Sequence, residues 1–402
     1  MELLHNVVQH YAWGSRRAIP ELCQIAPDGR PQAEMWMGAH PVAPSAIRRD
    51  GRRLRLDDLI SSAPAETVGP HVCEQFGDRL PFLLKVLAAA EPLSLQAHPS
   101  LAQAREGFAR EEQAGIPRDA PNRSFRDEQH KPELICALTP FEALSGFRPV
   151  SETLTLLRSL DTPALAGAVD ALAQKGEAAL RDLLREWLAH PDPAQVAAVV
   201  AACSAAAEGP YQASRLWAVR LAEMYGDDPG VLISLLLNHV ELAPGQAMFL
   251  DAGNLHAYLD GVGVEIMASS DNVLRGGLTE KHVDVDALAD IVDPSPIAPA
   301  VQIPDEPLHR YHSPVAEFTL YRVVFDPSFS VQVVSDGPAI VLAVDGTIEG
   351  EGSSHSGPLR IESGHAAFIP AGEQGVTLTG AGLGFVAAVG DPVTSSLLPR
   401  SV

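Results

Sequence analysis

Four residues that can bind a metal ion stand in three separate parts of the chain. Gln96 and His98 are two residues apart, and on an extended strand this spacing places both side chains on one face. Glu133 closes a His-Lys-Pro-Glu run, and His256 comes shortly after an Asp-Ala-Gly-Asn turn. One amide, two imidazoles and one carboxylate form a mixed set that divalent metals accept, with zinc the first expectation. The sequence therefore predicts a metal-dependent enzyme.

Basic residues accompany these ligands. Gln and neutral His carry no charge, so a bound divalent ion would keep much of its Lewis acidity. Arg275 precedes two glycines and can approach an oxyanion closely, while Lys281 can hold a phosphate as a point charge. Lys131 follows His130 and lies two residues from Glu133, so it could exchange protons beside the metal. The alternatives are a surface arginine in a turn and a lysine in a structural ion pair.

Composition excludes several classes of protein. The 402 residues carry a formal net charge of −22, which disfavours nucleic acid and anionic membranes as partners. No apolar stretch is long enough to cross a bilayer, and the first residues lack the basic and apolar regions of a secretion signal. The four cysteines are far apart and form no Cys-x-x-Cys pair, which argues against a disulfide framework. We expect a cytoplasmic protein large enough for two or three domains.

Hydrophobic patterns separate β-rich regions from a helical one. Leucines and alanines recur at helical spacing in residues 151–238, and their apolar faces predict a packed group of helices. Residues 101–125 are polar and predict a short helix followed by a loop. Short apolar runs bounded by turn residues predict strands at 81–87, 94–98, 134–138, 247–250, 329–334, 340–344, 366–369 and 385–389.

A short pattern occurs twice in the β-rich regions. Residues 245–256 and 364–375 share Gly-x-Ala-x-Phe followed by an Ala-Gly turn. This unit is common in jelly-roll barrels of the cupin type, where a histidine after the turn often binds metal. The first copy ends in His256 and the second in Gly375, so we expect one barrel with a metal site and one without. The alternative is chance recurrence of a motif frequent in β proteins.

These patterns predict a mainly β fold with a helical insert, made of two jelly-roll (cupin) barrels plus an all-α domain. Residues 1–150 and 239–309 would form the catalytic barrel with the zinc site. Residues 151–238 would form the helical insert domain, and residues 310–402 a C-terminal barrel without a metal site.

Several motifs, taken in order along the chain, resemble type I mannose-6-phosphate isomerases. They cover both β regions that flank the helical segment, but little of the chain after about residue 310. The motifs are residues 9–14 (QHYAWG), 33–38 (AEMWMG), 80–99, 130–133 (HKPE) and 264–272 (VEIMASSDN).

The resemblance implies a role for each candidate residue. One zinc ion per chain would be bound by Gln96, His98, Glu133 and His256. The residues implied in catalysis are Arg275, as the catalytic arginine, with His130 and Lys131 in proton transfer. The positions that match the substrate pocket are Trp13, Lys85, Ser94, Tyr258, Glu265 and Lys281.

The resemblance also implies a reaction, the reversible isomerisation of mannose 6-phosphate and fructose 6-phosphate through an enediol. The partner would be a small sugar phosphate rather than nucleic acid or membrane, and the chain would act as a monomer, with an oligomer left open. Two alternatives come from other classes: an iron-dependent cupin dioxygenase and a non-catalytic sugar-phosphate sensor. Gln96 and the basic pocket argue against the dioxygenase. A complete metal set beside Lys131 and Arg275 argues against the sensor.

Overall fold

The computed structural model describes residues 1–205, 209, 211–352, 358–373, 375–390 and 395–401. In these residues the chain is mostly β-sheet with a helical segment in the middle, as the sequence predicts. The described strands form two large antiparallel sheets and a small hairpin. None of the described helices is both long and apolar enough to cross a membrane.

The first part of the chain alternates short strands with short helices. Its elements are β1 (Glu2–Leu3), β2 (Val7–Gln9), α1 (Ala18–Leu22), β3 (Glu34–Met37), β4 (Ala46–Arg49), β5 (Arg52–Arg55), α2 (Leu56–Ser62), α3 (Pro64–Thr67), α4 (Pro70–Phe76), β6 (Phe82–Ala89), β7 (Gln96–Ala97), α5 (Leu101–Gln113), β8 (Glu133–Ala137) and β9 (Phe141–Phe147). Every residue of β6 is buried, which explains its almost continuous apolar sequence, with Lys85 the exception.

The strand predicted at 94–98 is shorter in the structure. β7 pairs with neighbouring strands only through Gln96 and Ala97. The carbonyl of His98 instead accepts a hydrogen bond from the Gly253 N–H at 2.8 Å, and Pro99 has no N–H to continue a ladder. Ser100 then begins α5 with a capping box, which turns the chain away from the sheet. His98 therefore lies just beyond the strand end.

Helices occupy most of the chain where helical spacing was predicted. They are α6 (Val150–Ser159), a 3₁₀ turn (Pro163–Leu165), α7 (Ala166–Lys175), α8 (Ala178–Ala189), α9 (Pro193–Ala205), α10 (Gln212–Tyr225) and α11 (Gly230–Ser234). Their apolar faces share one core with Leu95 and Leu255, which are next to Gln96 and His256 in the sequence. The helical segment thus supports the two strands that carry candidate ligands.

The next elements complete the first large sheet. They are β10 (Leu237–Leu242), β11 (Ala247–Leu250), β12 (His256–Ala268), β13 (Leu274–Arg275), α12 (Val285–Ile291) and β14 (Val301–Gln302). The long strand β12 is central, because its first half pairs with β7 and β9 and its second half with β6 and β8. The change of partners occurs at Gly261, whose φ of 119° suits glycine, and where a Cβ would lie 2.7 Å from the carbonyl oxygen of Pro140.

The rest of the chain forms the second large sheet. Its strands are β15 (Leu308–Tyr311), β16 (Thr319–Phe325), β17 (Phe329–Ser335), β18 (Ala339–Glu351), β19 (Leu359–Glu362), β20 (Ala366–Ile369), β21 (Val376–Ala388) and β22 (Ser395–Ser401). The N-terminal strand β1 pairs with β20, so residues 2 and 3 belong to this sheet rather than to the first one. One apolar core joins the sheets, with Phe82 and Val86 from one and Leu320 and Phe368 from the other.

The two copies of the repeated pattern adopt similar local structure. Gly245 and Gly364 have φ values of 88° and 75° and precede β11 and β20, respectively. Both strands lie in antiparallel sheets. The local likeness is therefore present in the backbone as well as in the sequence.

Candidate metal centre

Three of the predicted metal ligands meet in the protein interior. The Nε2 atom of His98 lies 3.3 Å from Oε1 of Glu133, and the Nε2 atom of His256 lies 3.4 Å from Oε2 of the same carboxylate. All three side chains are buried. β8 supplies the carboxylate, the start of β12 supplies His256, and the segment after β7 supplies His98. Their spacing allows all three to bind one metal ion.

Backbone carbonyls orient both imidazoles toward this point. Nδ1 of His98 lies 2.7 Å from the carbonyl oxygen of Asn272, and Nδ1 of His256 lies 2.9 Å from that of Asn254. A carbonyl only accepts, so each Nδ1 carries the proton and each Nε2 keeps its lone pair. This outer support is typical of metal-bound histidine.

The ligand atoms do not satisfy one another by hydrogen bonds, but a metal ion would satisfy them. Nε2 of both histidines and Oε2 of Glu133 are buried without a hydrogen-bond partner in the described structure. Buried polar atoms are rarely left unpaired. Three such atoms that converge, and that can only accept, are the arrangement a divalent cation satisfies.

The charges around the centre favour ligands that are ready to bind. Burial, with the positive charge of Lys131, lowers the pKa of His98 to about 4, so its ring is neutral at pH 7. Burial raises the pKa of Glu133, but the positive charge of Lys131 outweighs it and holds that pKa well below its usual range. The ammonium of Lys131 lies 2.8 Å from Oε1 of Glu133. The centre therefore holds one ionised carboxylate and a neutral imidazole.

Strand register places Gln96 and Arg275 beside this group. Gln96 is directly opposite His256 on one side and directly opposite Arg275 on the other. Directly opposed residues of antiparallel strands share a face, with Cβ atoms about 5 Å apart. His256, Gln96 and Arg275 therefore lie side by side on three adjacent strands, and His256 is the member of this row that belongs to the metal-capable group.

A third basic residue, Arg126, accompanies Arg275 and Lys281. Burial, and then the positive charge of Arg126, lowers the pKa of the Arg275 guanidinium. Partial desolvation, followed by the charges of Arg275 and Arg126, lowers the pKa of Lys281. The three cations are close enough to repel one another. An anionic group would relieve that repulsion.

The other predicted pocket residues comprise a buried charged group, an apolar cluster and Ser94. Lys85 is buried, and its Nζ lies 3.0 Å from Glu265 and 3.4 Å from Glu34. Trp13 packs with the buried Tyr258 in a separate apolar cluster. Ser94 is half-buried and lies two residues before Gln96.

Removing Lys85 would leave two buried carboxylates without their cation. Burial already raises the pKa of Glu265, and Lys85 opposes that rise. We expect Lys85→Met to lower the free energy of unfolding by about 3–5 kcal/mol at pH 7. The loss should shrink toward pH 5, because carboxyls whose folded pKa is raised are less costly once protonated.

Denaturant unfolding measures this effect. The matched control is Lys175→Met, since Lys175 pairs with Asp182 while both side chains are more than half exposed (58% and 60%). The control should change the free energy of unfolding by less than about 0.5 kcal/mol. Equal unfolding midpoints for the two variants would contradict the expectation.

A buried asparagine ties the segments of the site together. The Asn272 side chain accepts a hydrogen bond from the Arg126 N–H at 2.7 Å and donates one to the Gln129 carbonyl at 2.8 Å. Its own carbonyl orients His98. Asn272 therefore fixes the segment that leads to His130 and Lys131 relative to a candidate metal ligand.

Several side chains of the site were not predicted from the sequence. His40 is buried, and its Nε2 lies 3.3 Å from Asp271. The hydrogen bond from His40 lowers the pKa of Asp271 below its usual value, although burial opposes it. The other unpredicted residues are Glu34, Arg126, Asn272 and Glu317. A sequence signal was available for Glu34, a carboxylate within an otherwise apolar strand, and for Asn272, which ends the 264–272 motif.

A second group of metal-capable residues lies at the surface. It consists of Glu142, His239 and Glu241 on β9 and β10. Nε2 of His239 lies 2.8 Å from Glu142, which also accepts a hydrogen bond from Trp217. These groups already have partners, unlike the orphan atoms of the buried centre.

The fold and the buried centre define a mostly β protein that can hold a metal ion beside clustered cations. Residues 1–150 match the catalytic domain of type I phosphomannose isomerase. Mannose-6-phosphate isomerase of Escherichia coli K12 is 40% identical, with 95% of this chain and 98% of that one covered. The human enzyme is 32% identical, with 92% and 93% covered. The chain therefore belongs to the type I phosphomannose isomerases and is an enzyme of that aldose–ketose isomerase class.

Solved structures agree with this assignment. A crystal structure of zinc-bound mannose 6-phosphate isomerase matches with a TM-score of 0.87 and 36% identity, over 96% of this chain and 99% of that one. Another structure of mannose 6-phosphate isomerase holds zinc and yttrium, and it also has a TM-score of 0.87. The family favours the isomerase over the dioxygenase and the non-catalytic sensor.

Proposed function

We propose that this isomerase interconverts D-mannose 6-phosphate and D-fructose 6-phosphate through an enediol, using one zinc ion per chain. The ligands are Gln96, His98, Glu133 and His256. The observation that carries the proposal is the buried group of three convergent ligand atoms without hydrogen-bond partners. Zinc-bound relatives of the same fold support the choice of metal.

The chemistry that zinc supplies when bound is Lewis acidity, which favours negative charge on the sugar oxygens at C1 and C2. The protein's own residues then move protons. A base on the chain takes the C2 proton of the open-chain aldose, and the C1 carbonyl oxygen becomes the enediol hydroxyl. Return of the proton to C1, with loss of the O2 proton, gives the ketose. Lys131 and His130 are the two candidates for this base.

Arg275 and its neighbours handle the negative charge of the substrate. Arg275 lies one strand from Gln96, so its guanidinium can stabilise charge that develops near the reacting carbons. Lys281, beside Arg275 and Arg126, binds the phosphate. The Lys281 ammonium has three donors on a flexible side chain, which suits a phosphate that is bound but does not react.

The remaining pocket residues shape and support the site. Trp13 contributes apolar surface next to the sugar, Tyr258 belongs to the buried cluster against which Trp13 packs, and Ser94 contributes a hydroxyl. The Lys85–Glu265 pair holds β6 and β12 in register, since the two residues are directly opposite each other. Of these residues, Lys85, Glu265 and Tyr258 are almost fully buried.

Removal of the metal tests the proposal directly. Dialysis against a strong chelator should abolish turnover of mannose 6-phosphate, and one equivalent of zinc should restore it. The measurement is a coupled assay of fructose 6-phosphate formation, with metal analysis of the same sample. Metal-free protein that retains full turnover would refute the role of zinc.

We further propose that the two sheets form two jelly-roll barrels. Residues 1–150 and 239–309 would form the catalytic barrel, residues 151–238 the helical domain, and residues 310–402 the second barrel, with β1 added to it. The repeated glycine–strand–turn units support this layout. All proposed metal ligands come from one chain, so we propose that the protein acts as a monomer. The cysteines are free thiols, as expected in the reducing cytoplasm, where we propose that the protein is located.

A further inference from the structure

The loop between β15 and β16, two strands of the second sheet, contributes a carboxylate to the segment that precedes Glu133. Nε2 of His130 lies 2.6 Å from Oε1 of Glu317, although the two residues are 187 positions apart in the chain. Only 21% of the His130 side chain and 17% of the Glu317 side chain are exposed. A contact of this length between these groups is a strong, charge-assisted hydrogen bond.

The carboxylate fixes which ring nitrogen of His130 is available. A carboxylate accepts, so Nε2 of His130 carries the proton that it donates to Glu317. Burial raises the pKa of Glu317, but the hydrogen bond and charge of His130 hold that pKa below its usual range. Glu317 is therefore ionised at neutral pH, and Nδ1 of His130 is the nitrogen left to gain or lose a proton.

The backbone holds Glu317 firmly on both sides. The Ala316 carbonyl accepts a hydrogen bond from the Gly390 N–H at 3.0 Å, and the Phe318 carbonyl accepts one from the Ser313 hydroxyl at 3.0 Å. Phe318 is fully buried in the core that joins the two sheets. At Gly390 a Cβ would lie 2.6 Å from the Phe318 carbonyl oxygen, so only glycine fits beneath this loop.

The His130 end is held as firmly. The preceding residue, Gln129, accepts a hydrogen bond at its carbonyl from Asn272, and its N–H donates to Asp127 at 2.9 Å. Three residues after His130, Glu133 begins β8. The pair therefore connects the second sheet to the metal-capable centre.

The two candidates for the proton-transferring base differ in their partners. The Lys131 ammonium is paired with Glu133, which is a proposed zinc ligand. The His130 partner, Glu317, is not one. His130 can exchange a proton at Nδ1 without disturbing a metal ligand, and the carboxylate stabilises the imidazolium that forms.

We propose that Glu317 is a positioning residue for the isomerase reaction, which orients His130 and stabilises its protonated ring as it transfers the proton. The proposal rests on the proposed function. It assigns the C-terminal part of the chain a role in catalysis, because the loop between β15 and β16 carries the partner of His130.

The test is a double-mutant cycle with Glu317→Gln and His130→Asn in the zinc-loaded, full-length protein. Glu317→Gln keeps the shape of the side chain but removes its charge. We expect kcat to fall about 10-fold while KM changes less than about twofold. In the His130→Asn background, the same substitution should cause no further loss.

Two variants provide controls. Glu142→Gln alters another histidine–glutamate pair, His239–Glu142, whose contact is 2.8 Å, and it should leave kcat unchanged. Glu317→Asp keeps the charge, so its kcat should lie between those of the unmodified protein and Glu317→Gln, and it serves as the test if the glutamine variant does not fold.

The outcomes separate the proposals. A kcat within twofold of the unmodified value for Glu317→Gln, or an equal loss in the His130→Asn background, would overturn the positioning role. Full turnover by His130→Asn would also overturn it. An unmodified, zinc-loaded protein without turnover would instead overturn the proposed function, and this proposal with it.

Discussion

Replacing Glu133 with glutamine is expected to remove the bound zinc and the isomerase activity together. Glu133 lies within 3.4 Å of both histidines and supplies the only charged ligand atoms of the proposed set. Zinc per chain should fall from one to nearly zero, and kcat should fall about 10³-fold. Metal analysis and the coupled assay on one preparation measure both quantities.

Glu133→Gln also has a structural cost that a companion variant separates. It leaves the Lys131 ammonium, 2.8 Å from Oε1 of Glu133, without its carboxylate in a buried place, which costs about 3 kcal/mol. His256→Asn keeps the Lys131–Glu133 pair and removes one metal ligand, so it should lose zinc and turnover with a smaller change in stability. His239→Asn is the matched control for a histidine outside the centre. Full zinc content in both Glu133→Gln and His256→Asn would exclude the proposed site.

The second large effect is expected for Arg275→Ala. The guanidinium lies opposite Gln96 in the strand register, where it can meet charge that develops on the substrate. We expect kcat to fall about 10²–10³-fold, the usual cost of losing one group that stabilises transition-state charge. Arg275→Lys should recover part of this loss, because it keeps the charge but not the planar fork of donors.

Stability should respond in a different way from activity. The Arg126 charge already lowers the pKa of the half-buried Arg275, so removing Arg275 relieves repulsion instead of breaking an attraction. The melting temperature should stay within about 2 °C of the unmodified value. Arg185→Ala, which removes an exposed arginine paired with Asp286 and Asp290, is the control for losing a surface cation. Unchanged turnover in Arg275→Ala would remove this residue from the mechanism.

Local sequence was enough to predict most elements near the site. The apolar run at 81–87 is β6, and the helical spacing after residue 150 corresponds to α6–α11. Such patterns are readable because burial depends on the period of the local structure. The strand at 94–98 was predicted too long, because the ladder ends at Ala97: the His98 carbonyl accepts a hydrogen bond from the distant Gly253, and Pro99 has no N–H.

The partners of the charged residues could not be read in the same way. Nothing near Lys85 indicates that Glu34 and Glu265 share its pocket, because those contacts follow from the register of β3, β6 and β12. The presence of Arg126 beside Arg275 likewise depends on Asn272, which anchors one segment against the other.

The sequence by itself determined the chemistry available to this protein: two histidines, a carboxylate and an amide beside rare lysines, in motifs typical of one family. The tertiary structure decided which of these atoms meet. It brought His98, Glu133 and His256 to one buried point and left their lone pairs unpaired. It also paired His130 with Glu317 from the loop between β15 and β16. The physical reason is that residue type sets what an atom can bind, whereas strand pairing between distant segments sets what lies within its reach.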